Sequence, residues 1–400
     1  MNAQVFYGQP DTSGGETLHR INPDGTGDTA IAARLPKIFT PTWSHDGSTF
    51  AVTASDPARP SMLTFNAYIL NLATGAFQNV TNFQDTPGAN NAYTFTYALY
   101  KAFSPNHAQL AVNSYVRSGG GAGNASPTTT PLLQLFPTNG DPGPTATLHV
   151  GIFRDEVHHD GEGVDWSPTQ NLIAAPFKWD APLQSGTTST YGPGEATAIY
   201  LINPANAASQ QLTVPHADLV IGAQIVTWAE HDYAPKFSPN GSQLAYVRSY
   251  QQATGAGPDL GVQSLHILTL ATRQDRQVIQ FQKGLYVSTV DWSPDGTQLV
   301  FDLGKQATSS GFPLQAVQPN TDGLYLIGID GSNPHQLHAH PPPPPLGAPS
   351  PWLLGILITF PPGCRLGRGT TVSSAASLSV APATSSCYCA RLGRPSAASV

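Results

Sequence analysis

One ten-residue pattern, occurring five times, constrains this chain more than any other feature of its 400 residues. Trp43-Ser-His-Asp-Gly-Ser-Thr-Phe-Ala-Val52 returns as Phe103–Val112, Trp166–Ala175 and Phe237–Tyr246, and most cleanly as Trp292-Ser-Pro-Asp-Gly-Thr-Gln-Leu-Val-Phe301. The copies are 60, 63, 71 and 55 residues apart, each interval long enough for about four short strands and their turns. Each copy reads as a hairpin. An aromatic residue ends one strand, Pro presets the first turn angle, Asp or Asn caps its own backbone, and Gly accepts a positive φ. The next strand then starts polar and becomes apolar. The residues that carry this structural pattern are Trp43, Asp46, Gly47, Phe103, Pro105, Trp166 and Pro168 in the first three copies. In the last two they are Phe237, Pro239, Gly241, Trp292, Pro294, Asp295 and Gly296.

A looser unit alternates with the first. It comprises Leu18–Gly25, Tyr68–Gly75, Leu133–Gly140, Tyr200–Asn206, His266–Thr272 and Tyr325–Gly331, each a strand followed by an Asn/Asp/Gly turn. A full period is therefore two hairpins, or one four-stranded antiparallel sheet. Composition agrees: 38 Gly and 37 Pro with only 11% charged residues suit short strands and tight turns, not amphipathic helices or solvated tails. Sheets of this kind bury their faces by stacking radially on one another, which gives an all-β, six-bladed β-propeller. The Trp-Ser-Pro-Asp-Gly pattern with its alternating Ile-Tyr-x-x-Asn unit resembles the TolB-like repeats, WD40-like (PD40) relatives of the WD40 propellers. The resemblance covers about residues 1–340.

The two ends of the chain complete the expectation. Val5–Tyr7, Thr17–Ile21 and Thr29–Ala32 supply three strands of a blade that lacks its innermost one. Pro349-Ser-Pro-Trp352 is similar to Pro41-Thr-Trp43 and lies 60 residues after Trp292. The last blade is thus expected to be shared between the termini, with a closing strand near residues 349–353. The remainder of 341–400 reads as an irregular Pro/Ser/Ala-rich low-complexity tail, or as the product of a frame change near residue 340. It contains five consecutive prolines from Pro341, no acidic residue, and all three cysteines (Cys364, Cys387, Cys389).

Charge and cysteine usage exclude several classes. The formal net charge is -7, and residues 1–340 carry 14 basic against 25 acidic side chains. A body this acidic lacks the basic face that nucleic-acid binding needs. With no cysteine before Cys364, the body has neither a disulfide framework nor a thiolate site. The longest apolar run, Trp352–Phe360, is far short of the roughly 20 residues of a membrane helix. Met1–Pro10 shows no signal-peptide pattern, whereas the resemblance implies a periplasmic or extracellular bacterial protein. A monomer is expected.

Chemistry is expected where two blade links are rich in ligand-type side chains. His158, His159, Asp160 and Glu162 precede Trp166, and Trp228, Glu230, His231 and Asp232 precede Phe237. They enter adjacent blades and are expected to meet near the channel mouth. Such a set could bind a basic partner, hold a divalent cation, or pair an acid with a base. No G-x-S-x-G, G-x-x-x-x-G-K or H-E-x-x-H motif accompanies them. No cofactor is called for beyond that possible divalent cation. The resemblance implies a non-catalytic scaffold that binds a protein or peptide. The alternative is a propeller enzyme or small-ligand binder, of polysaccharide lyase or glycosidase type, using the His/carboxylate cluster.

Overall fold

The computed structural model describes residues 5–10, 16–31, 35, 38–45, 49–58, 64–71, 74, 76–87, 93–119, 128–141, 143–150, 163–179, 196–220, 225–252, 262–283, 285–305 and 323–339. Among these residues every regular element is a β-strand. The expected tail strand at 349–353 and the rest of 340–400 lie outside the described residues, as do Asp46 and Gly47.

Six antiparallel meanders follow one another along the chain. The first is β1 (Val5–Pro10), β2 (Glu16–Ile21) and β3 (Thr29–Ala30). The second is β4 (Phe39–Trp43), β5 (Phe50–Ser55), β6 (Phe65–Leu70) and β7 (Phe77–Asn79). After the short β8 (Thr86–Pro87) comes the third: β9 (Tyr93–Phe103), β10 (Gln109–Gly119), β11 (Thr128–Pro137) and β12 (Ala146–Val150). The fourth comprises β13 (Asp165–Trp166), β14 (Ile173–Trp179), β15 (Ala196–Ile202) and β16 (Ser209–Gln211). Next are β17 (Ala217–Val220) and the fifth meander: β18 (Ile225–Phe237), β19 (Gln243–Gln252), β20 (Val262–Thr269) and β21 (Gln274–Gln280). The sixth is β22 (Leu285–Trp292), β23 (Gln298–Lys305), β24 (Gly323–Gly328) and β25 (His335–Ala339). The first meander has the three strands the sequence predicts, and β1 pairs only with β2 among the described residues.

The repeat turns are held as their residue types dictate. In the fifth meander the Gln243 amide donates to Ser238 Oγ (3.0 Å), the Ser242 amide donates to Asn240 Oδ1 (3.0 Å), and Gly241 sits at φ +68. The sixth repeats this with Gln298 to Ser293 Oγ (2.9 Å), Thr297 to Asp295 Oδ1 (3.0 Å) and Gly296 at φ +71. The serine thus ties the two strands across the turn, a role its repetition in all five copies foreshadows.

Apolar clusters join each meander to the next. Leu18 packs with Phe50 and Tyr68; Ala51 and Ala67 pack with Phe103 and Leu110; Leu133 and Leu135 pack with Trp166 and Ile173. Ile199 then packs with Phe237 and Leu244, and Val247 and Leu265 pack with Trp292 and Leu299. A further cluster joins the sixth meander to the first, through Leu324, Leu326 and Leu337 against Tyr7 and Ile21.

The hydrogen-bonded sheets differ from the six separate ones expected. Among the described residues there are four, of three, nine, nine and four strands. A single parallel bridge, Phe65 with Tyr97, fuses the second and third meanders, and Thr197 with His231 fuses the fourth and fifth. β9 (11 residues) and β18 (13 residues) pair with β10 and β19 along one edge; their other edge takes β8 or β17 and, at Tyr97 and His231, the parallel bridge.

Candidate functional site

β18 is the longest strand, and alternation along it places Glu230 and Asp232 on one face and His231 on the other. Asp232 is fully buried and lies opposite Arg248 of β19. Arg248 grips it with two bonds, Nε to Oδ1 at 2.6 Å and Nη2 to Oδ2 at 2.8 Å, the strong forked geometry of a guanidinium on a carboxylate. Burial pushes the Asp232 carboxyl upward, against the pull of Arg248 and of the Thr213 hydroxyl. Burial works against the Arg248 charge, yet Asp232 holds the guanidinium above its ordinary range.

The network continues outward. Arg248 Nη1 lies 3.4 Å from Asp275 Oδ2 on β21. Asp275 is 3.1 Å from His266 Nδ1, and His266 Nε2 is 3.0 Å from Ser264 Oγ. The Tyr246 ring packs on His266 (5.2 Å between centroids) and beneath the Arg248 guanidinium (5.5 Å). Burial tends to raise the Asp275 pKa, but the hydrogen bond and charge of His266, with Tyr246 and Arg248, hold it below the usual range.

The other predicted residues of this link are also engaged. Glu230 Oε2 accepts the His216 amide at 2.7 Å and lies 3.6 Å from Arg248 Nε. His231 Nδ1 is 3.3 Å from Thr197 Oγ1, beside the backbone bridge between the two meanders. The Trp228 backbone lies on β18. His158, His159, Asp160 and Glu162 lie outside the described residues, so only the β18 half of the expected cluster has a defined place. Among the described residues no three His, Cys, Asp or Glu side chains converge as a metal site.

Sequence reasoning missed Arg248, His266, Asp275 and two inter-meander ties. Lys101 of β9 is buried, and its Nζ donates to the Thr40 carbonyl and, at 2.9 Å each, to Thr40 Oγ1 and Thr53 Oγ1. It also reaches the Leu99 carbonyl at 3.2 Å. Asp165 Oδ2 accepts the Phe237 amide at 2.7 Å, with Lys236 Nζ 3.7 Å from Oδ1. Burial disfavours the Lys236 charge, but Asp165 and Asp291 outweigh it and raise its pKa. The missed signal is Pro inside an innermost strand, Thr40-Pro41 and Ala234-Pro235. Each marks a bulge where the register slips, between Phe39 and Thr42 and between Tyr233 and Lys236.

No family model matches the chain, and no curated protein does. Solved structures similar to it include TolB from Acinetobacter baumannii (16% identity, TM-score 0.44), with 82% of this chain and 61% of that one covered. A putative TolB from Agrobacterium tumefaciens is similar at 14% identity and TM-score 0.44, covering 78% of this chain and 84% of that one. An oligogalacturonate lyase in complex with manganese is similar at 13% identity and TM-score 0.44, covering 85% and 74%. The chain thus spans 61% of the length of the Acinetobacter protein. Likeness at this level transfers no residue role.

Proposed function

We propose that the chain is a six-bladed β-propeller that acts as a non-catalytic scaffold and holds a protein or peptide partner at the mouth of its channel. The ring is supported by the six meanders and by the apolar seam between Leu326 of the last and Tyr7 of the first. The observation that carries the scaffold reading is the forked Arg248–Asp232 pair. Both carboxylate oxygens are committed within the sheet, while His231 and Glu230 hold neighbouring elements. A general acid or base must instead reach a substrate proton. These groups stiffen the rim. Glu230, with 22% of its side chain exposed, adds negative charge to it, and a body with 14 basic against 25 acidic side chains favours a basic partner. A periplasmic setting belongs to the same proposal and rests on the repeat resemblance. No helix among the described residues is long and apolar enough to cross a membrane.

Selection from a displayed random-peptide library on the full chain should enrich Lys- and Arg-containing sequences. Glu230→Gln should weaken their binding several-fold, and Asp295→Asn, in the turn beyond the opposite strand end, should not. Peptides without basic residues, or binding indifferent to Glu230, would overturn the reading. Stoichiometric manganese, calcium or zinc in the purified protein, lost on His158→Ala and His159→Ala, would replace it with the small-ligand or enzymatic one.

A further inference from the structure

β20 and β21 carry a row of polar side chains on one face of the fifth meander. Ser264 and His266 are two residues apart on β20 and share that face. Asp275 pairs with Leu268, which belongs to it too. Both Asp275 carboxylate oxygens are 3.1 Å from His266 Nδ1, and His266 Nε2 is 3.0 Å from Ser264 Oγ. The proton positions follow from one charge. Asp275 is held ionised, as its depressed pKa indicates, so it can only accept. His266 Nδ1 therefore carries the ring proton, Nε2 keeps its lone pair, and the Ser264 hydroxyl donates to it. The Arg248 carbonyl, 3.5 Å from Ser264 Oγ, is too far to draw that hydroxyl away. Tyr246, opposite His266 on β19, packs its ring on the imidazole at 5.2 Å and fixes its tilt. The fold itself does not call for an imidazole here. The same station of the alternating unit holds Leu18, Tyr68, Leu133, Tyr200 and Tyr325 in the other meanders.

We propose that Ser264 is an activated nucleophile that takes the acyl group of a small ester, with His266 as its base and Asp275 as the positioning residue. Hydroxyl, imidazole and orienting carboxylate in this order are what activates a serine, and the arrangement is recognised by geometry rather than by motif. Ser264 Oγ bonds to the ester carbonyl carbon while its proton passes to His266 Nε2. The bond from that carbon to the alcohol oxygen then breaks, and the leaving oxygen takes the proton. The products are acylated Ser264, free alcohol and neutral His266; nothing is oxidised or reduced. Burial limits the size of the donor. Ser264 and His266 are 7% and 8% exposed, whereas the Arg248 and Asp275 side chains are 16% and 31% exposed. The row thus opens to solvent at its Asp275 end. This single covalent event needs neither Glu230 nor a peptide partner: failed peptide binding leaves it standing, and an inert Ser264 leaves the peptide site standing.

Diisopropyl fluorophosphate, a small phosphoryl donor that stands in for the ester and releases fluoride, tests this on the full chain, with the adduct located by peptide mass spectrometry. Ser264 should be labelled roughly a hundredfold or more faster than the exposed Ser242 and Ser332. Asp275→Asn should slow that labelling by about tenfold or more, since the imidazole then loses its fixed tautomer. Asp275 also meets Arg248, so His266→Asn, which leaves that contact in place, should show the same loss. Unfolding the unaltered chain in urea should abolish the excess, because the row exists only in the folded sheet; this comparison decides the matter should a variant fail to fold. Labelling of Ser264 no faster than that of Ser242 would overturn the proposal. So would an excess that survives in urea or in either folded variant, since Ser264 would then be merely accessible.

Discussion

At the scale of single residues, the turns separate two costs that glycine avoids. Gly296 has φ +71, and a Cβ added there would meet only Pro239 Cδ at 3.7 Å. Gly296→Ala should therefore pay backbone strain alone, about 1 kcal/mol. Gly241 has φ +68, but its Cβ would lie 2.1 Å from Thr169 Oγ1 of the neighbouring turn. Gly241→Ala should cost clearly more, and equal urea midpoints for the two variants would refute the distinction. His107 occupies the same station at φ +57, so His107→Gly should raise stability by up to about 1 kcal/mol. Asp275 sets a pH dependence. Its folded pKa is depressed, so its contribution is present above the unfolded value near 3.8 and is lost as pH falls through the lower folded value. Between about pH 5 and about pH 2 the Asp275→Asn variant should lose less of its urea midpoint than the unaltered chain. The turn residues were legible because they recur in sequence. Arg248 was not, although it lies opposite a predicted residue. Counting back from the Phe237–Leu244 pair without a bulge puts Ser249, not Arg248, across from Asp232.

At the scale of elements, that bulge is one of a set. The ladders of β4, β9, β18 and β22 all slip a few residues before their terminal aromatic, at Phe39/Thr42, opposite Asn113/Ser114, at Tyr233/Lys236 and at Val287/Thr289. A bulge leaves carbonyls off the ladder and re-aims the strand. Lys101 collects two such carbonyls, those of Thr40 and Leu99. Asp165 and Lys236, each next to a terminal aromatic, form a second tie, where the Lys236 carbonyl also receives Trp292 Nε1. Asp165, Lys236 and the Trp292 indole thus tie three consecutive meanders together. Lys236→Met should destabilise by about 3 kcal/mol, because Asp165 is left buried without its cation. Adding Asp165→Asn, which can still accept the Phe237 amide, should recover much of that loss. Additive effects in the double-mutant cycle would show the pair to be independent. Strand order and meander number were readable from the alternating repeats. The fusion of meanders was not, because it rests on one parallel bridge on the second edge of β9 and of β18, which periodicity does not specify.

At the scale of the whole molecule, the decisive contact is the one between the first and sixth meanders. Tyr7 lies between the rings of His19 (5.4 Å) and His338 (5.2 Å), and Asp28 is 3.1 Å from His19 Nδ1 and 3.9 Å from His338 Nδ1. Beneath this polar clasp, Leu324, Leu326 and Leu337 pack on Tyr7 and Ile21. An open stack of repeats frays from its termini, since each unit there has one neighbour. In a closed ring no unit is terminal, and every meander would keep two neighbours. Leu326→Ala, at a site 4% exposed, removes packing from the seam and should cost about 2–4 kcal/mol. If the seam closes a ring, the loss is felt by all six meanders and the urea transition shifts as one, with the tryptophans of the second, fourth and sixth meanders reporting the same midpoint. If the seam were incidental, the first and sixth meanders would melt ahead of the rest. Fluorescence would then fall in two steps, while the fourth meander, around Trp166, kept its original midpoint.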